Sequence, residues 1–270
     1  MAVSYVESPT PSFLFDLDGT LIDSVYQHVI AWRAALSAIG IDLSVWRIHR
    51  RIGMSGGLFV SALLRETGRT LSKDDIDRLQ LAHAEQYRAQ VDGVTALPGA
   101  RELLGFLTDA DVPWAIATSG YAATARPALG LLGLAEDTPM VTRDLVRHAK
   151  PDPDLFLAAA AVLGVEARHA FVVGDSVWDL LAARRAGALG VGLLSGGYGR
   201  EELERAGAYR VYADPAEMLA RIDELGVRPL RPMILVTQGE VRHRTACSGG
   251  FRQHFVRESF AAAPLRASRD

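Results

Sequence analysis

The sequence predicts an α/β fold in which helices cover both faces of a parallel sheet and one helical segment is inserted. Short apolar, β-rich runs alternate with segments of helical periodicity over most of the chain. These runs lack polar/apolar alternation, as expected for strands buried on both faces. Between residues 24 and 92, in contrast, only helical periodicity occurs. The composition, 49% hydrophobic and 23% charged in 270 residues, is typical of a globular chain.

The elements of the predicted sheet follow in order along the chain. Strands are predicted at 13–15, 113–118, 140–142, 170–174, 189–194 and 209–212, which gives a sheet of five or six strands. Helices are predicted at 99–110, 154–164, 177–186 and 215–225, and several of them end at a glycine.

The insertion is predicted to contain four helices, at 26–39, 46–51, 57–67 and 74–90. Ser72 and Asp75 have the spacing of a capping box at the start of the last helix. About seventy residues exceed a single crossover connection. We therefore expect an all-helical domain over 24–92, with the α/β core formed by 1–23 and 93–227.

The end of the chain, 228–270, differs from the rest in charge and pattern. It carries eight arginines against three acidic residues, although the whole chain has a net charge of -3. It lacks clear periodicity apart from one short candidate strand at 232–236, so we expect a basic, loosely ordered tail. An RNA- or membrane-binding arm is the alternative for this stretch.

Composition excludes several classes of protein. The single cysteine, Cys247, excludes a disulfide scaffold and a cysteine zinc cage. The small net charge does not indicate nucleic acid as a partner of the whole chain. No apolar run approaches the roughly 20 residues of a membrane span, and the first residues lack a signal-peptide pattern. We therefore expect a cytoplasmic chain without a membrane partner, of unknown oligomeric state.

Acidic residues follow two of the predicted strands. Asp16 and Asp18 follow the first strand on a glycine turn, where open α/β sheets bind ligands. Asp175 follows the strand 170–174, and Asp179 lies one helical turn further on. Acids gathered at one sheet edge repel one another unless a cation or a shared proton relieves them. The acids therefore indicate a hard divalent ion such as Mg²⁺, a nucleophile with an acid-base partner, or both. For each motif taken alone, a helix-capping turn is the alternative.

Two further segments carry polar groups of interest. Lys150 is one of only two lysines in the chain, and an ammonium suits an acyl-phosphate oxygen or a buried carboxylate. A solvated surface lysine is the alternative. Thr118, Ser119 and Gly120 end the second core strand with hydroxyls and backbone N–H groups, which fit phosphate oxygens and fit a plain turn equally well.

In this order, the four segments resemble the haloacid dehalogenase-like superfamily, in its phosphatase branch with a helical cap on a Rossmann-like core. The resemblance covers about residues 13–225. It implies that Asp16 is the nucleophile, that Asp18 is the general acid and base, that Thr118 binds the phosphate and that Lys150 steadies the nucleophile. It further implies that Mg²⁺ is held by the Asp16 and Asp175 side chains and the backbone carbonyl of Asp18, with Asp179 in support.

The helical insertion is expected to close over the site and to choose the substrate. Its contact loops hold Arg50, Arg51 and the segment 54–57, and Arg51 is the candidate for binding a second anionic group of the substrate. Solvated helix-end arginines are the alternative. Three functions remain open at this point: a Mg²⁺-dependent phosphatase for a small phosphorylated metabolite, a phosphomutase, and a binding or regulatory protein on the same fold.

Overall fold

The computed structural model describes residues 11–227, and the basic tail at 228–270 lies outside them. The strands are β1 (Ser12–Phe15), β2 (Ile22–Asp23), β3 (Thr95–Ala96), β4 (Trp114–Ala117), β5 (Met140–Val141), β6 (Ala170–Gly174), β7 (Leu189–Leu193) and β8 (Ala208–Tyr212). The helices are α1 (Val25–Ala38), α2 (Val45–His49), α3 (Gly56–Thr67), α4 (Lys73–Arg88), α5 (Ala100–Asp109), α6 (Ala122–Ala125), α7 (Pro127–Leu132), α8 (Asp154–Leu163), α9 (Val177–Ala186), α10 (Arg200–Ala206) and α11 (Pro215–Ala220).

Six strands form one parallel sheet in the order β5-β4-β1-β6-β7-β8, which confirms the predicted fold class. Every residue of β1 is buried, and the strand lies between β4 and β6. Its side chains enter two apolar clusters in turn: Phe13 and Phe15 join one, and Leu14 joins the other. Successive side chains of a strand point to opposite faces, so helices cover both faces of the sheet.

The inserted segment between β2 and β3 contains α1–α4, as the periodicity predicts. These helices bury an apolar cluster of their own, which includes Trp32, Phe59 and Leu79. The capping box at the start of α4 is present, with reciprocal bonds between Ser72 and Asp75. The extent of the cap domain, 24–92, stays a prediction.

Three features differ from the sequence prediction. The segments entering and leaving the insertion pair as a short antiparallel ribbon, β2 with β3, which no pattern indicated because each strand has two residues. The predicted helix 215–225 is divided into α11 and a 3₁₀ turn at Ile222–Leu225. Helices α6, α7 and α10 were not named among the predicted elements. Over residues 11–227, none of the helices is long and apolar enough to cross a membrane.

Candidate active site

The candidate site lies where three neighbouring strands end. Asp16 follows β1, Thr118 follows β4 and Asp175 follows β6. Because parallel strands end at the same edge, these three positions converge there. The backbone N–H of Asp16 donates to the carbonyl of Val173 at 2.8 Å, which fixes the backbone of Asp16 against β6.

Lys150 lies between two carboxylates at this edge. Its Nζ donates to Oδ1 of Asp16 and lies 2.8 Å from Oδ1 of Asp179. The lysine side chain is completely buried. Burial alone would lower the pKa of Lys150, but Asp16 and Asp179 outweigh burial and raise this pKa above its ordinary value. The structure therefore brings Lys150 to Asp16, and the surface alternative is wrong.

Asp16, Asp175 and Asp179 form a buried acidic cluster in which one carboxylate oxygen from each lies within 4.8 Å of the others. Burial and the neighbouring carboxylates raise the pKa of Asp16 to about 7, although Lys150 opposes the shift. Burial and the carboxylates of Asp179 and Asp16 also raise the pKa of Asp175. A hard divalent cation would relieve this repulsion, so the donor set fits Mg²⁺.

Two glycines leave room for the Asp175 carboxylate. A β-carbon on Gly196 would lie 1.7 Å from its Oδ2, and one on Gly19 would lie 2.6 Å from the same atom. On the other oxygen, Oδ1, Asp175 accepts a hydrogen bond from the hydroxyl of Thr20 at 3.2 Å. The carboxylate is thus held in one position beside Asp16.

Asp179 has a structural role in addition to its place in the cluster. Its Oδ2 accepts hydrogen bonds from the backbone N–H and the hydroxyl of Ser176, which completes a capping box at the start of α9. Its other oxygen faces Lys150. Because one oxygen caps the helix and the other faces the lysine, Asp179 holds both α9 and Lys150 in place. Its role in supporting the metal stays a prediction.

The Asp18 carboxylate lies outside this cluster and faces the helical segment. Its Oδ1 accepts hydrogen bonds from the Ser24 hydroxyl at 2.6 Å and from Nε2 of His28 at 3.1 Å. Burial opposes ionisation of Asp18, but His28 and Ser24 outweigh it and lower the pKa of Asp18. The predicted metal contact through the Asp18 backbone carbonyl stays a prediction.

Two histidines that the sequence analysis did not assign to the site are part of it. Nδ1 of His28 lies 3.1 Å from Nε2 of His83 on α4. One of these two ring nitrogens donates and the other accepts, so the contact holds the His28 ring against Asp18. The rings of His83 and Trp32 stack at 4.1 Å, and those of His28 and Tyr87 stack at 3.9 Å. One sequence pattern could have indicated His83: its four-residue spacing from Tyr87 places both side chains on one face of the helix.

The segment 118–120 joins the sheet edge to the helical segment. The Thr118 side chain is buried, and its Oγ1 accepts from the Gly120 N–H at 2.9 Å, which leaves the hydroxyl proton free to be donated. Ser119 donates its hydroxyl to the carbonyl of Gly53 at 2.9 Å. Gly53 has a φ of 94°, and a β-carbon there would lie 2.8 Å from the Ser176 hydroxyl. Phosphate binding by residues 118–120 stays a prediction.

A cavity beside Asp16 and Asp18 extends under the helical segment. Arg51 lines it, but its guanidinium is bonded to the Glu66 carboxylate and donates to the carbonyl of Arg47 at 2.7 Å. Arg50 pairs instead with Glu202 of the core. The substrate-binding role of Arg51 stays a prediction.

A parallel α/β sheet whose first strand ends in a lysine-paired carboxylate, beside a second carboxylate and an acidic cluster, defines a protein with a carboxylate-centred site at the sheet edge. The chain belongs to the haloacid dehalogenase-like hydrolase family, whose profile matches residues 11–187. The family predicted from the sequence motifs is therefore confirmed.

Individual relatives agree with this assignment. A crystal structure of a hydrolase from Pseudomonas syringae is 54% identical, with a TM-score of 0.78, covering 80% of this chain and 99% of that one. Hexitol phosphatase A of Escherichia coli K12 is 35% identical over 65% of this chain and 79% of its own length. Phosphoglycolate phosphatase of Rhodospirillum rubrum is 32% identical over 76% of this chain and 88% of its own length. The names of these relatives bear out the predicted enzyme class, phosphoric monoester hydrolase.

Proposed function

We propose that this protein is a Mg²⁺-dependent phosphatase that hydrolyses a small phosphorylated metabolite through an aspartyl-phosphate on Asp16. One observation carries the proposal: Asp16 is buried at the base of the cavity, bonded to Lys150, and shares that cavity with the carboxylate of Asp18. A nucleophile and an acid-base group are the two functions that two-step phosphoryl transfer requires. The phosphatase names of the curated relatives support the same class.

The proposed reaction has two steps. In the first, an oxygen of Asp16 bonds to phosphorus and the ester P–O bond breaks. Because the pKa of Asp18 is lowered, its carboxylate is ionised in the free protein, so it takes up a proton when the ester binds and gives that proton to the leaving oxygen. In the second, Asp18 takes a proton from water, whose oxygen bonds to phosphorus and releases both Asp16 and inorganic phosphate. Asp18 thus ends the cycle holding one proton, which serves the next turnover or returns to solvent.

Other residues would stabilise the transferred group. The free hydroxyl proton of Thr118 would bind a phosphoryl oxygen, and Ser119 and Gly120 would do so once the phosphate replaces their present acceptors. Lys150 would neutralise charge on Asp16. Mg²⁺, held by Asp16, Asp175 and the Asp18 carbonyl with Asp179 in support, would neutralise charge on the phosphoryl group. We also propose that residues 24–92 act as a cap domain that limits the access of water, since their helices bury a cluster of their own.

Single-turnover labelling tests the proposal. With Mg²⁺ and a ³²P-labelled phosphate ester, the wild-type chain is expected to yield an acid-stable, hydroxylamine-sensitive acyl-phosphate and to release inorganic phosphate. Asp16→Asn should show neither, while Asp137→Asn, an exposed residue, serves as the control. Labelling of Asp16→Asn would contradict the nucleophile. Transfer of the label to an isomer of the substrate, with slow phosphate release, would instead identify a phosphomutase.

A further inference from the structure

We infer that the cavity beside Asp16 and Asp18 selects phosphate esters whose leaving group is uncharged and hydroxylated, such as a polyol or sugar, over esters that carry a carboxylate. The inference rests on the proposed phosphatase function and specifies its substrate class. The residues that carry it lie on the helical side of the cavity.

The helical side of the cavity offers no unpaired cation to a second anionic group. Among the described residues that line the cavity, Arg51 is the one arginine or lysine. Its guanidinium is bonded to Glu66, whose other oxygen lies 2.9 Å from Arg47, and to the Arg47 carbonyl. To bind a substrate carboxylate, Arg51 would have to give up these partners. An anion placed there without a countercharge would lose its hydration uncompensated.

Apart from Arg51, which pairs with Glu66, and His28, which pairs with Asp18, the polar groups on this wall are neutral. The Gln80 side chain lines the cavity and forms no hydrogen bond to another residue within 11–227, so both its carbonyl and its amino group are available. A β-carbon on Gly56 would lie 3.7 Å from the Gln80 amide, which places that amide beside the α3 terminus. Burial lowers the pKa of His83 well below its ordinary value, so its ring is neutral. The Gln80 amide both donates and accepts, as hydroxyl groups do, while His83, whose Nε2 contacts His28, has only Nδ1 left for a substrate.

The rest of the helical wall is apolar apart from His28. Trp32 is buried between Phe59, with ring centroids 4.2 Å apart, and His83, and Met54 adds to the same wall. The C–H groups of a polyol can lie against such a wall at no desolvation cost. A carboxylate placed there would lose its hydrogen bonds to water without replacement. The neutral amide, the neutral imidazole and the apolar wall therefore favour the same substrate class.

Matched pairs of esters test the inference on the full chain with Mg²⁺. Sorbitol 6-phosphate and 6-phosphogluconate differ at one carbon, as do glycerol 3-phosphate and 3-phosphoglycerate. We expect kcat/KM to be at least about tenfold higher for the uncharged member of each pair. p-Nitrophenyl phosphate, which carries neither a carboxylate nor a polyol, measures phosphatase activity independently of this selectivity. If p-nitrophenyl phosphate is hydrolysed but neither pair shows a preference for the uncharged ester, the proposed substrate class is wrong and the phosphatase function stands. If no ester releases phosphate, the phosphatase function is wrong as well.

Two variants connect the preference to the named residues. Glu66→Gln should release Arg51 and raise the relative kcat/KM for 6-phosphogluconate by roughly fivefold, because a guanidinium then becomes available to the carboxylate. Glu201→Gln removes an exposed partner of Arg205 and is the control for Glu66→Gln.

Gln80→Leu should reduce the preference for sorbitol 6-phosphate, with the exposed Gln86→Leu on the same helix as control. Melting temperatures confirm folding. If both selectivity ratios stay at the wild-type value, the cavity wall does not set the substrate class.

Discussion

The sheet edge and the helical wall face the same cavity but hold their polar groups in different ways. At the edge, charged groups are buried and opposed by other charges: Lys150 between Asp16 and Asp179, with Asp175 nearby. On the helical wall, the polar groups are neutral or already paired, as in Gln80 and in Arg51 with Glu66. Changes at the edge should therefore alter turnover and folding together, while changes on the wall should alter turnover or selectivity with little loss of stability.

The largest effect is expected from Lys150→Met. This change leaves Asp16 and Asp179 buried without their cation, so the free energy of unfolding should fall by roughly 3–5 kcal/mol. Turnover should fall by about 10³-fold or more, because the charge beside the nucleophile is lost. Urea denaturation and steady-state kinetics measure the two effects. Lys73→Met is the matched control, since Lys73 is exposed on α4. A stable, active Lys150→Met would show that the sheet edge tolerates buried carboxylates without a cation beside them.

Asp18→Asn should reduce turnover by roughly 10²–10⁴-fold without a comparable loss of stability, because an amide oxygen can still accept from Ser24 and His28. p-Nitrophenolate needs no proton to leave. With p-nitrophenyl phosphate, we therefore expect acyl-phosphate to accumulate, since only the second step still requires the base. Rapid quench of the labelled ester detects it. Asp23→Asn is the control on a nearby exposed acid, and equal slowing of both steps with this ester would argue against the acid-base role.

Gly196→Ala tests whether the position of Asp175 matters for the metal. The added methyl group would lie 1.7 Å from Oδ2 of Asp175 and must displace it. We expect the Mg²⁺ concentration for half-maximal activity to rise about 10–100-fold, as happens when support for a metal ligand is lost. The control is Gly130→Ala on α7, where a β-carbon meets no atom within 4 Å. An unchanged Mg²⁺ dependence would place the ion elsewhere.

The smallest effect is expected on the helical side, from His83→Phe. The ring keeps its stacking with Trp32 but loses the hydrogen bond to Nδ1 of His28, so His28 is held less firmly against Asp18. We expect kcat to fall by about 3–10-fold, as for a lost neutral hydrogen bond. In an Asp18→Asn background the same change should have no further effect. An equal loss in both backgrounds would show that His83 does not act through Asp18.

The two regions also differ in how far the sequence predicts them. Asp16, Thr118 and Asp175 each follow a recognisable strand, and strand ends of a parallel sheet meet at one edge, so local patterns were enough to bring these three together. Lys150 follows no strand, and the family resemblance, not a local pattern, indicated its place beside Asp16. The wall depends instead on how helices pack. The contact of His28 with His83 joins α1 to α4, and that of Arg51 with Glu66 joins a loop to α3. Periodicity gives the face of a helix but not the partner of that face.

Glycine conformations and short pairings were equally beyond a local pattern. The sequence indicates a contact loop at 54–57, but the contact of Ser119 with the neighbouring Gly53 depends on a left-handed backbone at Gly53. The ribbon of β2 and β3 has two residues on each side, too few for any alternation to be recognised.

The complete burial of Lys150 has a practical consequence for labelling. Of the two lysines in the chain, only Lys73 presents its amine to solvent, at the start of α4. An amine-reactive dye should therefore attach to lysine at a single place in the folded protein, on the helical segment. A fluorophore at that point would report on movement of this segment during turnover while leaving the buried amine beside Asp16 unmodified.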